Sequence, residues 1–229
     1  MTRMKKFWFF LLLAVGCASC TSKYSIEGTS SVSRLDGRML YIRVPQDGEW
    51  VSIDSAEVVH GAFTMEGEVD STVFVSLFVG EDYVLPLVLE KGSIRLNIDN
   101  ACMTVKGTPL NDRFNEFMLK KNELDDRAYE IERLESRMIM DGCSAAEIRA
   151  EMEKRRRQLG NEVDQLAKSF IQANYTNVLG PSVFLMFCNG LPYPMLTPVM
   201  EEIINGAPDS FRRHPQVKDF LSAAKESRK

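Results

Sequence analysis

The spacing of hydrophobic residues changes once along this chain, near Gly107, and that change limits the fold more than any other feature of the sequence. Residues 24–107 consist of short segments in which polar and apolar residues alternate, with many β-branched and aromatic side chains and turn sequences between them. After residue 108 the apolar residues recur at helical spacing. This order predicts a β + α protein, in which an antiparallel β-sandwich, or a partly open barrel, over residues 24–107 precedes an α-helical domain over residues 108–229.

Two long amphipathic helices are predicted at the start of the helical domain. The first apolar stripe comprises Leu110, Phe114, Phe117, Leu124, Ala128, Ile131, Leu134 and Met138, and the second comprises Ile148, Met152, Leu159, Val163, Leu166 and Phe170. Asp141-Gly142 predicts the end of the first helix, and Ser144 with Glu147 predicts a capping box for the second. Because about five residues join them, the two helices must form an antiparallel hairpin, and shorter helices broken by Pro and Gly follow.

Two short sequences mark predicted turns. His60-Gly61 lies between two strand patterns, at the central positions of a hairpin turn. Gly107-Thr108-Pro109 joins the last strand to the first helix, where we expect Thr108 or a neighbour to cap the helix and Pro109 to begin it. A ligand-binding loop is the alternative interpretation of this second sequence.

The first sixteen residues have the pattern of a bacterial lipoprotein signal peptide. Basic residues precede an apolar run, and small residues precede Cys17. We therefore predict a signal peptide over residues 1–16, lipid attachment at Cys17 with Cys20 as the alternative, and a tether over residues 17–23. The apolar run is shorter than the ~20 residues that a membrane-spanning helix needs, so the lipid is the expected membrane contact.

Cys17-Ala-Ser-Cys20 also has the spacing of a redox pair. A reactive Cys-x-x-Cys normally lies at a helix N-terminus that follows a strand, whereas this pair follows the apolar core of a signal peptide. Anchoring is therefore the favoured interpretation, with ordinary secretion and a redox pair as the alternatives. No acidic run follows Cys17, and the absence of this export cue predicts an outer-membrane protein that faces the periplasm.

Charge gives no support for nucleic-acid binding, because 28 Lys and Arg residues are balanced by 32 Asp and Glu residues. The basic run Arg155–Arg157 is expected to pair with Glu151, Glu153 and Glu162 on its own helix, and contact with phosphate or anionic lipid is the alternative. The acidic residues between Glu123 and Glu135 interleave with arginines, which is typical of a solvated helix face. We expect no metal site and no cofactor.

Catalytic patterns are also not evident. His60 and His214 lack partners at the spacing of a triad or a zinc site, so we predict that the protein is not an enzyme. Cys102, Cys143 and Cys188 lie far apart in the sequence. Buried free thiols are the favoured interpretation. The alternative is one disulfide among these three cysteines or between one of them and Cys20.

Six aromatic residues lie on predicted strands: Tyr41, Trp50, Phe63, Phe74, Phe78 and Tyr83. Most of them are expected in the sandwich core. A platform that binds carbohydrate or peptide is the alternative.

The segments "YSIEGT", "SIDSAEVVHGAFTMEG", "LVLEKGSIRLNI" and "GTPLNDRFNEF" together resemble an uncharacterised domain of Bacteroidetes envelope proteins. That domain typically precedes a peroxiredoxin- or thioredoxin-like domain, and His60 stands where its common form has Asp or Asn. "NYTNVLGPSVFL" and "SFRRHPQVKDFL" resemble the segments that follow it, so the resemblance covers nearly the whole mature chain. No Cys-x-x-Cys matches that of the redoxin before the sequence ends at Lys229, so the resemblance implies no thiol chemistry here.

These observations predict a lipid-anchored envelope protein that acts as a non-catalytic binding or scaffolding module. An envelope protein is the expected partner, with a separate redoxin as one candidate, and a sheet edge or the helical hairpin is the expected contact surface. The alternative is a small-ligand or glycan binder that uses the sandwich. A thiol-disulfide oxidoreductase that uses Cys20 or the later cysteines is the weakest hypothesis.

Overall fold

The computed structural model describes residues 22–46, 48–100 and 102–227. Within them eight strands precede six α-helices, which confirms the predicted fold class. The strands are β1 (Ser22–Ser30), β2 (Met39–Gln46), β3 (Glu49–Glu57), β4 (Ala62–Val69), β5 (Val73–Val79), β6 (Asp82–Leu89), β7 (Gly92–Ile98) and β8 (Met103–Lys106). The helices are α1 (Pro109–Met140), α2 (Ala145–Ala173), α3 (Leu179–Asn189), α4 (Pro198–Gly206), α5 (Asp209–Arg212) and α6 (Pro215–Glu226). The predicted signal peptide, Cys17 and Cys20 lie outside the described residues.

The strands form two four-stranded sheets, sheet A in the order β4-β1-β7-β8 and sheet B in the order β3-β2-β5-β6. Neither sheet closes on the other, so the molecule contains a sandwich and not a barrel. The pairing is antiparallel except between β1 and β7, which run parallel with Tyr24 opposite Gly92. The sandwich is therefore mostly antiparallel, and its parallel pair joins two strands that are far apart in the sequence.

The alternation in the strands directs one side chain in two into the space between the sheets. Leu40 and Ile42 of β2, Leu77 of β5 and Ile26 of β1 are fully buried there. Burying a side chain of this size contributes about 1.5–3 kcal/mol. This first hydrophobic cluster therefore holds sheet A against sheet B.

A second hydrophobic cluster lies on the other face of sheet B. Val88 of β6 packs there with Phe114 and Phe117 of α1 and with apolar side chains of α2, α3 and α6. The rings of Phe74 and Phe114 meet edge to face with their centroids 5.3 Å apart. Sheet B is thus the middle of three layers, between sheet A and the helices.

Several local predictions are confirmed. His60 and Gly61 adopt positive φ values of 53° and 72°, as the central residues of a tight hairpin turn do. Ser144 and Glu147 form a complete capping box at the start of α2. Asp141 caps the end of α1, and Gly142 follows with a φ of 76°.

The two ends of the sandwich have different roles. Ser22, at the start of β1, lies opposite Val69, and Tyr24 lies opposite Gly92; we call this the near end. Gly107 lies at the same end, because a Cβ placed on it would lie 2.5 Å from the carbonyl oxygen of Ser93. α1 therefore begins at the near end and runs towards the far end, where β7 turns into β8.

The helical hairpin continues past the far end. Residues 119–165, which we call the arm, contribute no side chain to either hydrophobic cluster in the described chain. From Glu123 to Met140, α1 extends for ~27 Å. Met152 and Leu159 are buried within the arm, whereas Ala128, from the predicted stripe, is exposed because no layer covers that side. Among the described helices, none combines the length and hydropathy required to cross a bilayer.

Candidate functional site

The sequence from Gly107 to Phe117 forms the joint between the sandwich and the helices. Thr108 occupies the N-cap position and Pro109 the first helical position, as predicted. The Thr108 side chain does not cap the helix; instead, the carboxylate of Glu90 accepts the backbone N–H groups of Leu110 and Asn111 at 2.8 and 3.2 Å. A carboxylate at this place also interacts favourably with the helix dipole.

Two asparagines of α1 cover the exposed edges of both sheets. Asn111, which is 0 % exposed, accepts the backbone N–H of Val88 at 2.9 Å and donates to the carbonyl of Val88 at 2.7 Å. Asn115 accepts the backbone N–H of Val105 on β8. Both residues thus replace the strand that would otherwise pair with β6 or β8, and Pro86 on β6 lacks an N–H group altogether.

Gly107-Thr108-Pro109 joins the last strand to the first helix, as predicted. Gly107 has a φ of +104°, and the nearby Ser93 oxygen leaves no room for a side chain. Asp112 accepts the N–H of Gly107 at 2.8 Å, which fixes the turn. The residues of this motif therefore position the first helix.

The aromatic residues that were expected in the core are divided between the two faces of sheet B. Of the six, Phe63 alone belongs to the sandwich core, while Phe74 lies beneath the helices. Trp50 and Tyr83 remain 49 % and 55 % exposed, so the core prediction is wrong for them. Their rings meet that of Phe78 edge to face, with centroids 5.0 and 5.8 Å away.

Arg43 lies against this aromatic group and was not identified from the sequence. Its guanidinium is 4.9 Å from the ring centre of Phe78 and 5.1 Å from that of Tyr41, within cation–π range. It donates two hydrogen bonds to the Glu81 carboxylate and one to Ser52, and this pairing holds the pKa of Glu81 below its usual value. A single charge in the apolar segment Met39–Val44 was the available signal.

A cleft of about 280 Å³ opens beside Tyr83, on the side of the sandwich that α1 covers. It lies between β6, described residues near the end of β7 and the start of β8, and α1 from Phe114 to Asn122. Its lining residues are Tyr83, Val84, Leu85, Pro86, Asp99, Asn100, Cys102, Met103, Val105, Phe114, Asn115, Met118 and Asn122. Sequence reasoning missed the cleft because these residues come from three separate segments.

The three later cysteines are free thiols, so no disulfide joins them. Cys188 is buried with its Sγ 3.9 Å from Met200 Sδ, and burial raises its pKa to about 12. Cys102 and Cys143 are only half-buried, so the predicted burial is correct for Cys188 alone. A thiol with a raised pKa is a poor nucleophile at neutral pH.

The histidines do not meet. His60 lies in its exposed turn, whereas His214 is the N-cap residue of α6 and has a buried Nδ1 without a hydrogen-bond partner in the described chain. Burial lowers the pKa of His214. Among the described residues, no group of three His, Cys, Asp or Glu side chains is arranged to hold a metal ion.

The basic run on α2 is paired as a solvated helix face. Arg155 and Arg157 pair with Glu151 and Glu153, as predicted. Arg156 pairs with Glu135 of α1. Glu162, expected to pair within this run, instead binds Arg127 of α1, since the two helices face each other there. Exposed pairs of this kind contribute about 0–1 kcal/mol each.

Comparison with known protein families finds a match for part of the chain. Residues 24–114 match the family model described as Domain of unknown function (DUF4369). No curated protein and no solved structure matches the chain. The matched segment runs from β1 to Phe114, so it contains the sandwich and the asparagine that covers the edge of β6, while the arm and α3 to α6 lie beyond it. Residues 24–114 therefore carry the uncharacterised domain that this family model describes.

Proposed function

We propose that this protein is a non-catalytic binding module, held at the cell envelope by a lipid on Cys17, with Cys20 as the alternative attachment site. The arm is its contact surface for a protein partner. The observation that supports this proposal is the position of the arm, because a long helical hairpin outside both hydrophobic clusters adds little to the stability of the fold.

The tip of the arm carries exposed apolar side chains. Ile139 and Met140 are 62 % and 79 % exposed, and Tyr129 is 64 % exposed further back along α1. When a partner covers large apolar side chains of this kind, their burial stabilises the complex by about 25 cal/mol per Å² of apolar surface. Helical hairpins that present such side chains are suited to contact a groove on another protein.

The direction of the arm favours a partner away from the membrane. β1 starts at the near end, so the tether enters there, whereas α1 carries the tip beyond the far end. A lipid on Cys17 would therefore hold the sandwich beside the membrane with the tip directed away from it. This arrangement supports a periplasmic protein as the partner.

A separate redoxin is the first partner to examine. The sequence resembles Bacteroidetes envelope domains that precede a redoxin in the same chain, so a redoxin encoded elsewhere is a reasonable candidate. The co-purification experiment described below detects a partner whether or not it is a redoxin. Cys188 is a poor nucleophile, because it is buried and its pKa is raised to about 12.

Co-purification from membranes tests the arm. The full-length protein is compared with the double variant Ile139→Ser, Met140→Ser, and with Val59→Ser, which changes a 54 % exposed side chain on the sandwich. We expect a partner with the wild type and with Val59→Ser, and its loss with the double variant. Recovery of no protein above background with the wild type, or full recovery with the double variant, would refute the proposal.

Intact mass tests the anchor. We expect the protein extracted from membranes to begin at Cys17 and to carry a diacyl or triacyl modification. An unmodified product with Cys17 and Cys20 joined by a disulfide would contradict the signal assignment and would favour the redox hypothesis.

A further inference from the structure

Tyr83 belongs both to the cleft and to the aromatic group on sheet B. Its ring lines the cleft and also packs on Phe78, which in turn contacts Trp50. Phe78 is buried beneath the other two rings, so Trp50 and Tyr83 present their surfaces to solvent on either side of it. The two features therefore form one continuous surface, from Trp50 to the floor of the cleft.

The lining of this surface combines apolar and hydrogen-bonding groups. Phe114 and Met118 of α1 contribute to its apolar part, together with Leu85. Asn100 and Asn122 also line the cleft, and within the described residues neither side chain makes a hydrogen bond. Each amide thus offers two N–H donors and one carbonyl oxygen to a ligand.

A charged pair adjoins the same surface. Arg43 is held against Phe78 and fixes the carboxylate of Glu81, whose side chain is 90 % exposed. Glu81 precedes Tyr83 by two residues in the turn that leads into β6. A fixed and exposed carboxylate can accept hydrogen bonds from ligand hydroxyl groups.

We propose that the cleft and the exposed rings of Trp50 and Tyr83 bind a linear oligosaccharide of pyranose sugars. A pyranose ring has an apolar C–H face and a rim of hydroxyl groups. The C–H face stacks on an aromatic ring, and the hydroxyl groups pair with amides and carboxylates. This function is separate from that of the arm and does not depend on it.

Size favours a ligand that the cleft accepts only in part. Small-molecule pockets usually have volumes of roughly 300–1,000 Å³. At about 280 Å³, the cleft has room for about one sugar ring. The following rings of the oligosaccharide would lie along Tyr83 and Trp50. An entirely apolar ligand would separate Asn100 and Asn122 from water without replacing the hydrogen bonds that water makes to them, and this loss disfavours such a ligand.

Two half-buried thiols allow a direct footprint of the ligand on the unmodified protein. Cys102 lines the cleft, whereas Cys143 lies at the hairpin turn between α1 and α2. The full-length protein is alkylated with iodoacetamide with or without cellohexaose, maltohexaose or chitohexaose, and each cysteine is quantified by mass spectrometry. We expect at least one sugar to slow alkylation of Cys102 several-fold and to leave Cys143 unchanged. Equal slowing of both cysteines, or no protection by any of the three sugars, would overturn the proposal.

A fluorescence titration locates the sugar on the rings. The chain has two tryptophans, and Trp8 lies in the predicted signal peptide, so Trp50 is the single reporter in the processed protein. In this protein we expect Tyr83→Ala and Asn122→Ala to weaken binding about tenfold. Tyr129→Ala is the matched control, since it removes from the arm a tyrosine that is 64 % exposed. The proposal fails if Tyr129→Ala weakens binding as much as Tyr83→Ala, or if neither cleft variant weakens it.

Discussion

Asn111 holds the first helix against the edge of sheet B, and its removal provides a quantitative test of the joint. Its side chain accepts the N–H of Val88 at 2.9 Å and donates to the Val88 carbonyl and to Thr108 Oγ at 2.7 and 2.8 Å. Asn111 and Val88 are both 0 % exposed. Asn111→Ala therefore removes three hydrogen bonds from a site without access to solvent.

The size of the effect follows from the groups that lose their partner. Val88 keeps a buried N–H and a buried carbonyl that nothing else in the described chain satisfies on that side. Leaving a buried polar group unsatisfied costs about 1–3 kcal/mol, so we expect Asn111→Ala to lower the free energy of unfolding by about 3–5 kcal/mol. For a chain of this length the melting temperature falls by roughly 6–20 °C.

Urea unfolding, followed by circular dichroism, measures this change. Asn122→Ala is the control, because Asn122 is an exposed asparagine on the same helix with no side-chain hydrogen bond in the described chain. Its free energy of unfolding should change by less than about 0.5 kcal/mol. A loss below about 1 kcal/mol for Asn111→Ala would refute the conclusion that this residue replaces a strand at the edge of β6.

Three further predictions concern Cys188, His214 and Gly107. In the native protein, Cys143 should react with a thiol reagent while Cys188 reacts only after denaturation, because Cys188 is buried and its pKa is raised to about 12; equal rates measured by mass spectrometry would contradict this. Burial lowers the pKa of His214, so the unfolded state binds a proton first as the pH falls below about 6.5, and stability should decline there. His214→Leu should reduce that decline in thermal melts at different pH values, with the exposed His60→Asn as control, and an unchanged decline would show that His214 is not its source. Gly107→Ala should cost at least about 1 kcal/mol in urea unfolding, because it strains a φ of +104° and contacts a backbone oxygen, and a neutral effect would contradict that crowding.

The order of the layers could be predicted from the sequence because the hydrophobic period depends only on local geometry. Alternation in the strands and the helical stripe after Gly107 both mark which side chains face a core. The parallel pairing of β1 with β7 could not be predicted, since alternation is the same in parallel and antiparallel strands. The end of the core along α1 was also hidden, because Ala128 continues the stripe although nothing covers it.

The surface features depend on contacts between distant segments, and for that reason sequence reasoning found only parts of them. Asn111 and Asn115 are polar residues of a kind that usually lies in solvent, and their burial follows from the free edges of β6 and β8. Trp50 and Tyr83 were recognised as aromatic residues. Their exposure follows from the fact that the helices cover the outer face of sheet B around Phe74 and leave the region around these two rings uncovered. The cleft has no signature within any one segment.

Site-specific photo-crosslinking tests the proposal that the arm is the surface through which this protein binds its partner. The photoreactive amino acid p-benzoylphenylalanine replaces Met140 at the tip or, as the control, Thr64, which is exposed on β4 of sheet A. After irradiation of intact cells, we expect a discrete protein adduct from position 140 and none from position 64. An adduct from position 64 alone, or none from position 140, would contradict the claim.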